Sequence, residues 1–362
     1  MSRFRWGVFG TGSVVPKFVA GLRAGTDAEV IFVASRDLGR AQRLAREVGA
    51  PRAIEGYRDA AAAGGVDAVY IATPPSEHVA HGLLCLEGDI PVLIEKPFAT
   101  TGADARKLAD TARARGVFAM EGLWTRFLPA AQALHNHIQS GALGEIQVVS
   151  GEFGQSMLPD PLSSIFSSHL GGGALTHLAP YPLSLGQWLF GAPRQTNAIG
   201  TVGDSGVDES VAVQVEYSGG VLGSYHVSVR SWAADGFRVM GDRGMANVRG
   251  SIVRSHGVEI TREEPVALRA GGSSWKDRLR QSALVHQVAQ RLDRSSRGRG
   301  SREPHRYLGN GYHYEADEVA ARVRDGAIES DVIPLNDSIS VSTTIGELRE
   351  MVARNDRQGD VR

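Results

Sequence analysis

The sequence holds a single cysteine, Cys85, in 362 residues. One thiol cannot close an internal disulfide or build a cysteine-based metal site, so nothing ties the fold to an oxidising compartment. In HVAHGLLCLEG it reads as a buried helix residue. Charge of one sign is missing too. The formal net charge is -1 with 22% charged residues, which excludes the basic excess that nucleic acid or an anionic membrane attracts. No apolar run is long enough to span a bilayer. The opening MSRFRWGVFGTG enters a short strand without a long apolar leader or small-residue cleavage site, so a cytoplasmic protein with neither membrane nor nucleic-acid partner is expected. No cluster of His, Asp and Glu has metal-ligand spacing, and no metal is expected. No internal repeat is evident.

What is present is a chain long enough for two domains, each with its own core. From residue 5 to about 120, apolar strand-like runs alternate with helical periodicity: RWGVFG, VPKFVAGLRAG, EVIFVAS, LGRAQRLAREVG, DAVYIAT, SEHVAHGLLCLEG, PVLIEK and ADARKLADTARARG. Such alternation predicts a doubly wound parallel sheet with helices on both faces, a Rossmann domain over 1-123. Asp37 is a natural N-cap for the helix after it, and Gly49 a natural stop. Beyond residue 124 comes a helix near 127-140, then alternating strands (GEIQVVSGEF, ESVAVQVEYS, GVLGSYHVSVR, FRVMG, MANVRG) joined by turns such as Ser218-Gly219-Gly220. This predicts a second, α+β domain over 124-362 with a large, mostly antiparallel open sheet. Its 265-306 stretch is rich in Arg, Ser and Gly and reads as an exposed insertion, part helix and part mobile loop. Two helices, near 311-325 and 336-355, close the chain.

The first strand runs into Gly10-Thr11-Gly12-Ser13-Val14-Val15. In a dinucleotide site the first glycine permits the tight turn, and the second lets the pyrophosphate approach the backbone at a helix N-terminus. The third glycine of the pattern is replaced by Val15. At the tip of the second strand, where an NAD site usually places an acidic residue on the ribose hydroxyls, stands Ala34-Ser35-Arg36-Asp37. Ser35 removes the carboxylate that would repel a 2′-phosphate, and Arg36 can pair with that phosphate or stack on adenine, with Arg40 as reinforcement. NADP(H) is therefore the expected cofactor. The alternative, a solvated Arg36 with Asp37 on the ribose, stays open.

Ala72-Thr73-Pro74-Pro75-Ser76-Glu77-His78 and Ile94-Glu95-Lys96-Pro97 close two successive strands. They resemble the corresponding segments of the Gfo/Idh/MocA family, named for glucose-fructose oxidoreductase and inositol dehydrogenase. Glu121-Gly122-Leu123-Trp124-Thr125-Arg126-Phe127 and Gly311-Tyr312-His313-Tyr314-Glu315 are similar to the branch with dimeric dihydrodiol dehydrogenases and NADP-dependent xylose dehydrogenases. The resemblance implies that Lys96 is the central catalytic residue, its ammonium on the reacting oxygen, with a cis bond before Pro97. Physical chemistry agrees: a lysine at the C-terminal edge of a parallel sheet lies where such sheets bind ligands, and desolvation there lowers its pKa.

The family pattern also carries an Asp and, four residues later, a His or Tyr in the segment that here reads Gly171-Gly172-Gly173-Ala174-Leu175-Thr176-His177-Leu178-Ala179-Pro180-Tyr181-Pro182. The Asp position is His177, which can exchange a proton near neutral pH but supplies no fixed negative charge. Tyr181 keeps the aromatic hydroxyl, and Lys96 is expected to lower its pKa. The prolines place the start of a helix near Tyr181 and leave His177 in the preceding loop. Thr73, Pro74, His78, Glu95, Trp124 and Arg126 are expected around the cofactor, and His169, Trp124 and Arg126 as pocket walls. The expected activity is hydride transfer between NADP(H) and a CH-OH or C=O carbon of a sugar, polyol, diol or dicarbonyl, by a homo-oligomer. The rival is a non-catalytic NADP- or sugar-sensing regulator on the same fold.

Overall fold

The computed structural model describes residues 2-25, 27-160, 162-265 and 300-359. Six strands, β1 (Phe4–Phe9), β2 (Ala28–Ser35), β3 (Arg52–Glu55), β4 (Ala68–Ile71), β5 (Val92–Glu95) and β6 (Ala119–Gly122), form one sheet in the order β3-β2-β1-β4-β5-β6. All its neighbours are parallel. Between them run α1 (Val15–Gly25), α2 (Leu38–Val48), α3 (Tyr57–Ala62), α4 (His78–Glu87) and α5 (Gly102–Arg115). Each central strand is buried on both faces, which is why these segments read as unbroken apolar runs. Asp37 caps α2 by accepting from the Arg40 amide, and Gly49 ends it at φ 72°. Cys85 is buried, its thiol pushed up to about 12 by desolvation.

The second sheet has eight strands: β7 (Ile146–Gly154), β8 (Pro193–Val202), β9 (Asp208–Tyr217), β10 (Leu222–Ser228), β11 (Phe237–Gly241), β12 (Gly244–Arg249), β13 (Gly257–Arg262) and β14 (Ser301–Pro304). Its order is β14-β13-β12-β11-β7-β10-β9-β8, antiparallel throughout except where β7 meets β10. One face packs on α6 (Pro129–Gln139), α7 (Ala174–His177) and α8 (Pro180–Phe190), through inward residues such as Val213, Val215 and Tyr225. The chain closes with α9 (Tyr312–Arg324), which packs on α1, and α10 (Leu335–Gly359), which lies against both α5 and β8.

Two expectations change. His177 is not in a loop: it ends α7, a single helical turn that precedes the one begun by Pro180. Four residues are too short for periodicity to reveal. The 265-306 stretch is not wholly an insertion, since Ser301–Pro304 pairs with β13 as the edge strand. Residues 266-299, including the expected helix and loop, lie outside the described residues.

Candidate active site

The C-terminal ends of β1, β4, β5 and β6 bring the expected segments to one edge. Gly10 has φ 103°, and a Cβ there would stand 2.4 Å from the Ala72 carbonyl, so only glycine lets the first turn press against the end of β4. At Gly12 a Cβ would meet nothing closer than that carbonyl at 3.3 Å. The amides of Gly12, Ser13 and Val14 have no acceptor in the chain among the described residues. Backbone donors aimed outward at the start of α1 fit a pyrophosphate. Val15 in place of the third glycine is fully buried in the core under α1.

At the end of β2, Arg36 and Arg40 are exposed while Ser35 is buried and accepts from the Asp37 amide. One oxygen of the exposed Asp37 carboxylate, Oδ1, accepts from the Arg40 amide at 2.8 Å. Thr73 shares a hydrogen bond with His81 Nδ1 at 3.0 Å, and burial, with Arg36 nearby, pulls His81 down to about 4. Pro74 follows on the partly exposed loop.

Lys96 leaves β5 through a cis bond to Pro97. Its Nζ donates to the His177 carbonyl at 2.9 Å and stands 5.4 Å from the centre of the Tyr181 ring. Desolvation lowers its pKa, against the pull of Glu95 and Glu121. Tyr181 packs edge-on against Phe153 at 5.4 Å, and the Trp124 side chain reaches its hydroxyl. Lys96 thus meets His177 and Tyr181, some 80 residues further along the chain, in one partly buried space.

The structure corrects several assignments. Lys96 does not lower the Tyr181 pKa: burial raises it, and the charges of Glu95 and Glu315 add to that. The ammonium is turned to the His177 carbonyl instead. His177 does not titrate near neutrality, because burial and the neighbouring Lys96 push it down to about 3. It is a neutral ring whose Nε2 has no partner among the described residues. Arg126 is no cofactor ligand or pocket wall. Fully buried, it donates to the Ser184 hydroxyl and carbonyl, the Val332 carbonyl and Asp337, clamping α8 to the chain before and at the start of α10. His78 places its two ring nitrogens 2.8 and 2.9 Å from the Pro97 and Thr73 carbonyls, the neutral ring donating to one of them, and so both nitrogens face the backbone rather than a cofactor. Glu95 points inward, accepting from the Tyr70 hydroxyl at 2.5 Å and the Lys96 amide. Trp124 stacks on Tyr312 at 4.7 Å and belongs to the Tyr181 side. His169 is exposed on its loop.

Sequence reasoning missed Phe153 and the burial of Glu121 and Glu315. Glu315 is fully buried with neither oxygen partnered among the described residues, and burial raises its pKa well above the carboxylate range, as does Glu95. The Gly311–Glu315 stretch marked the segment but not which side chain turns inward. Among the described residues no group of three or more His, Cys, Asp or Glu could hold a metal, and no helix is long and apolar enough to cross a membrane.

Residues 4-123 match the family model for the oxidoreductase family with an NAD-binding Rossmann fold, and 131-247 that for the GFO/IDH/MocA C-terminal domain. The chain is 30% identical over 360 residues to trans-1,2-dihydrobenzene-1,2-diol dehydrogenase of Mus musculus, covering 96% of each. Its fold is similar to that of a 3-ketoreductase from Actinomadura kijaniata in complex with NADP and TDP-benzene (TM-score 0.79, 20% identity, 96% and 97% covered). It is equally similar to a levoglucosan dehydrogenase in complex with NADH and levoglucosan (TM-score 0.79, 19% identity, 97% and 98% covered). With its dinucleotide turn, its lysine after β5 and both domain models matched, the chain belongs to the Gfo/Idh/MocA family of oxidoreductases and carries an NAD(P)-binding Rossmann domain.

Proposed function

We propose that this oxidoreductase uses NADP(H) to interconvert a hydroxyl and a carbonyl on a vicinal diol or sugar, within a Rossmann domain of 1-123 and a substrate domain of 124-362. The observation that carries the reading is the convergence of Lys96, His177 and Tyr181 at the sheet edge. Gly10, Thr11, Gly12, Ser13 and Val14 would hold the pyrophosphate, with Ser35, Arg36 and Arg40 on the 2′-phosphate and Thr73 and Pro74 along the cofactor's path. The bound cofactor supplies or accepts the hydride; the chain supplies everything else.

Tyr181, held neutral by burial, is the proton donor to the substrate oxygen in reduction. In oxidation Tyr181 would first release its own proton to solvent as Lys96, swinging from the His177 carbonyl, stabilises the phenolate, which then takes the proton of the substrate hydroxyl. The unpartnered Nε2 of the neutral His177 accepts a hydrogen bond from a second hydroxyl on the substrate. This favours substrates with adjacent hydroxyls, the feature in the name of the mouse relative. Phe153 and Trp124 give the pocket apolar walls. Against the sensor reading stands this lysine-tyrosine pair, which binding alone does not need.

The outward face of β8, β9 and β10 carries Ile199 beside Ala212 and His226, with Leu222, Gln214 and Ser224. We assign this face to a homo-oligomer contact. The test of function is nicotinamide absorbance over a panel of diols, sugars and dicarbonyls, with Lys96→Met alongside. NADP-dependent turnover lost in the variant is expected. NADP binding without turnover of any panel compound would favour the sensor.

A further inference from the structure

The segment holding His177 is one turn of helix between glycines and a loop, too short to hold itself. What grips it comes from the second sheet. Asp208, the first residue of β9, is 6% exposed, and its Oδ2 accepts from the Leu175 amide at 2.6 Å. Gly173 has φ 112°, and a Cβ there would stand 2.3 Å from Asp208 Oδ1, so the carboxylate presses directly on the backbone that begins α7. At the other end of the turn, the His177 carbonyl receives Lys96.

We propose that Asp208 is a positioning residue for the reaction: its carboxylate fixes α7, and α7 in turn fixes the His177 carbonyl and ring against which Lys96 and the substrate are placed. The inference rests on the reading of Lys96 as the group that acts on the reacting oxygen. Burial raises the Asp208 pKa to about 6, with the Leu175 amide and Arg349 opposing. An ionised carboxylate retained in so dry a place weakens the fold at neutral pH, which points to a service other than stability.

Asp208→Asn keeps an acceptor of the same size for the Leu175 amide but loses the charge that strengthens the bond. A small displacement of reacting groups costs one to two orders of magnitude in rate, so a kcat about tenfold lower is expected. KM and Kd for NADP should be unchanged, and the melting temperature at pH 8 no lower than that of the unmodified chain. Asp208→Ala, which leaves the Leu175 amide unpartnered, should lose more kcat than Asp208→Asn. A wild-type kcat in Asp208→Asn overturns the inference. So does a kcat that falls only together with NADP affinity and melting temperature, the pattern of general unfolding. Lys96→Met separates the two readings: if it retains turnover, the catalytic reading fails, whereas full loss there with an active Asp208→Asn defeats only the role of Asp208.

Discussion

Glu121, at the end of β6, is 1% exposed, and its Oε1 accepts from the Phe98 amide. Burial pushes its carboxyl up to about 7 from an ordinary 4.5. A carboxyl whose pKa is raised by folding gives stability that is fully present below its unfolded pKa and is lost as pH rises through the folded one. At pH 5 the folded form is almost wholly protonated and the unfolded form mostly ionised; at pH 8 both are ionised. Two and a half pKa units, less the part of the titration outside that window, make the loss between pH 5 and pH 8 about 2.5 kcal/mol. Glu121→Gln keeps an acceptor for the Phe98 amide and does not titrate, so its stability should not carry this component. The buried histidines work the other way. His78, held at about 4, and His177, held at about 3, are lowered by burial, so their contribution is present above 6.5 and lost as pH falls. That contribution is common to both proteins and cancels in the comparison. Thermal melts at pH 5 and pH 8 should show the unmodified chain falling by roughly 3 °C more than Glu121→Gln. Parallel shifts in the two proteins would refute the assignment of a buried, raised carboxyl at this position.

Two further outcomes follow from the cofactor edge. Arg36→Ala should weaken NADP binding by about tenfold to a hundredfold, the worth of a charge-assisted phosphate contact, while leaving NAD binding within about twofold, read by quenching of intrinsic fluorescence. Equal losses for the two cofactors would remove Arg36 from the 2′-phosphate. Gly12→Ala adds a Cβ that the fold tolerates with a slight shift of its neighbour at 3.3 Å, so the melting temperature should move by a few degrees at most. NADP affinity should nevertheless fall at least about tenfold, because the methyl occupies the approach of the pyrophosphate; unchanged affinity would count against the turn as the phosphate cradle.

The first sheet was legible because its strands are buried on both faces and each is followed by a helix with capping residues, as at Asp37 and Gly49. Strands at the sheet margins were not. The edge strands β3, β8 and β14 carry weak or interrupted alternation, and pairing with a neighbour rather than apolar content makes them strands. At the site, Gly10 was legible because the tight strand-to-helix turn has a mechanical reason, whereas Lys96, His177 and Tyr181 were singled out by the resemblance of their segments to those of the family. What spacing could not give was direction. It did not show that Arg126 turns inward to Ser184 and Asp337, or that Glu95 faces Tyr70. Nor did it show that the Lys96 ammonium rests on a backbone carbonyl instead of the tyrosine hydroxyl. Protonation went astray for the same reason, since the depth of burial around His177 and Tyr181 is a property of packing that local sequence does not carry.

The central claim, that the chain itself moves a hydride at the Lys96–Tyr181 pair, is tested most directly by isotope transfer. Purified protein is incubated with NADP⁺ and a diol or sugar deuterated at the carbinol carbon, and the reduced cofactor is weighed by mass spectrometry. The account predicts NADPH carrying the deuterium in the unmodified protein and none above background in Lys96→Met. Unlabelled NADPH, or label transferred equally well by Lys96→Met, would contradict it.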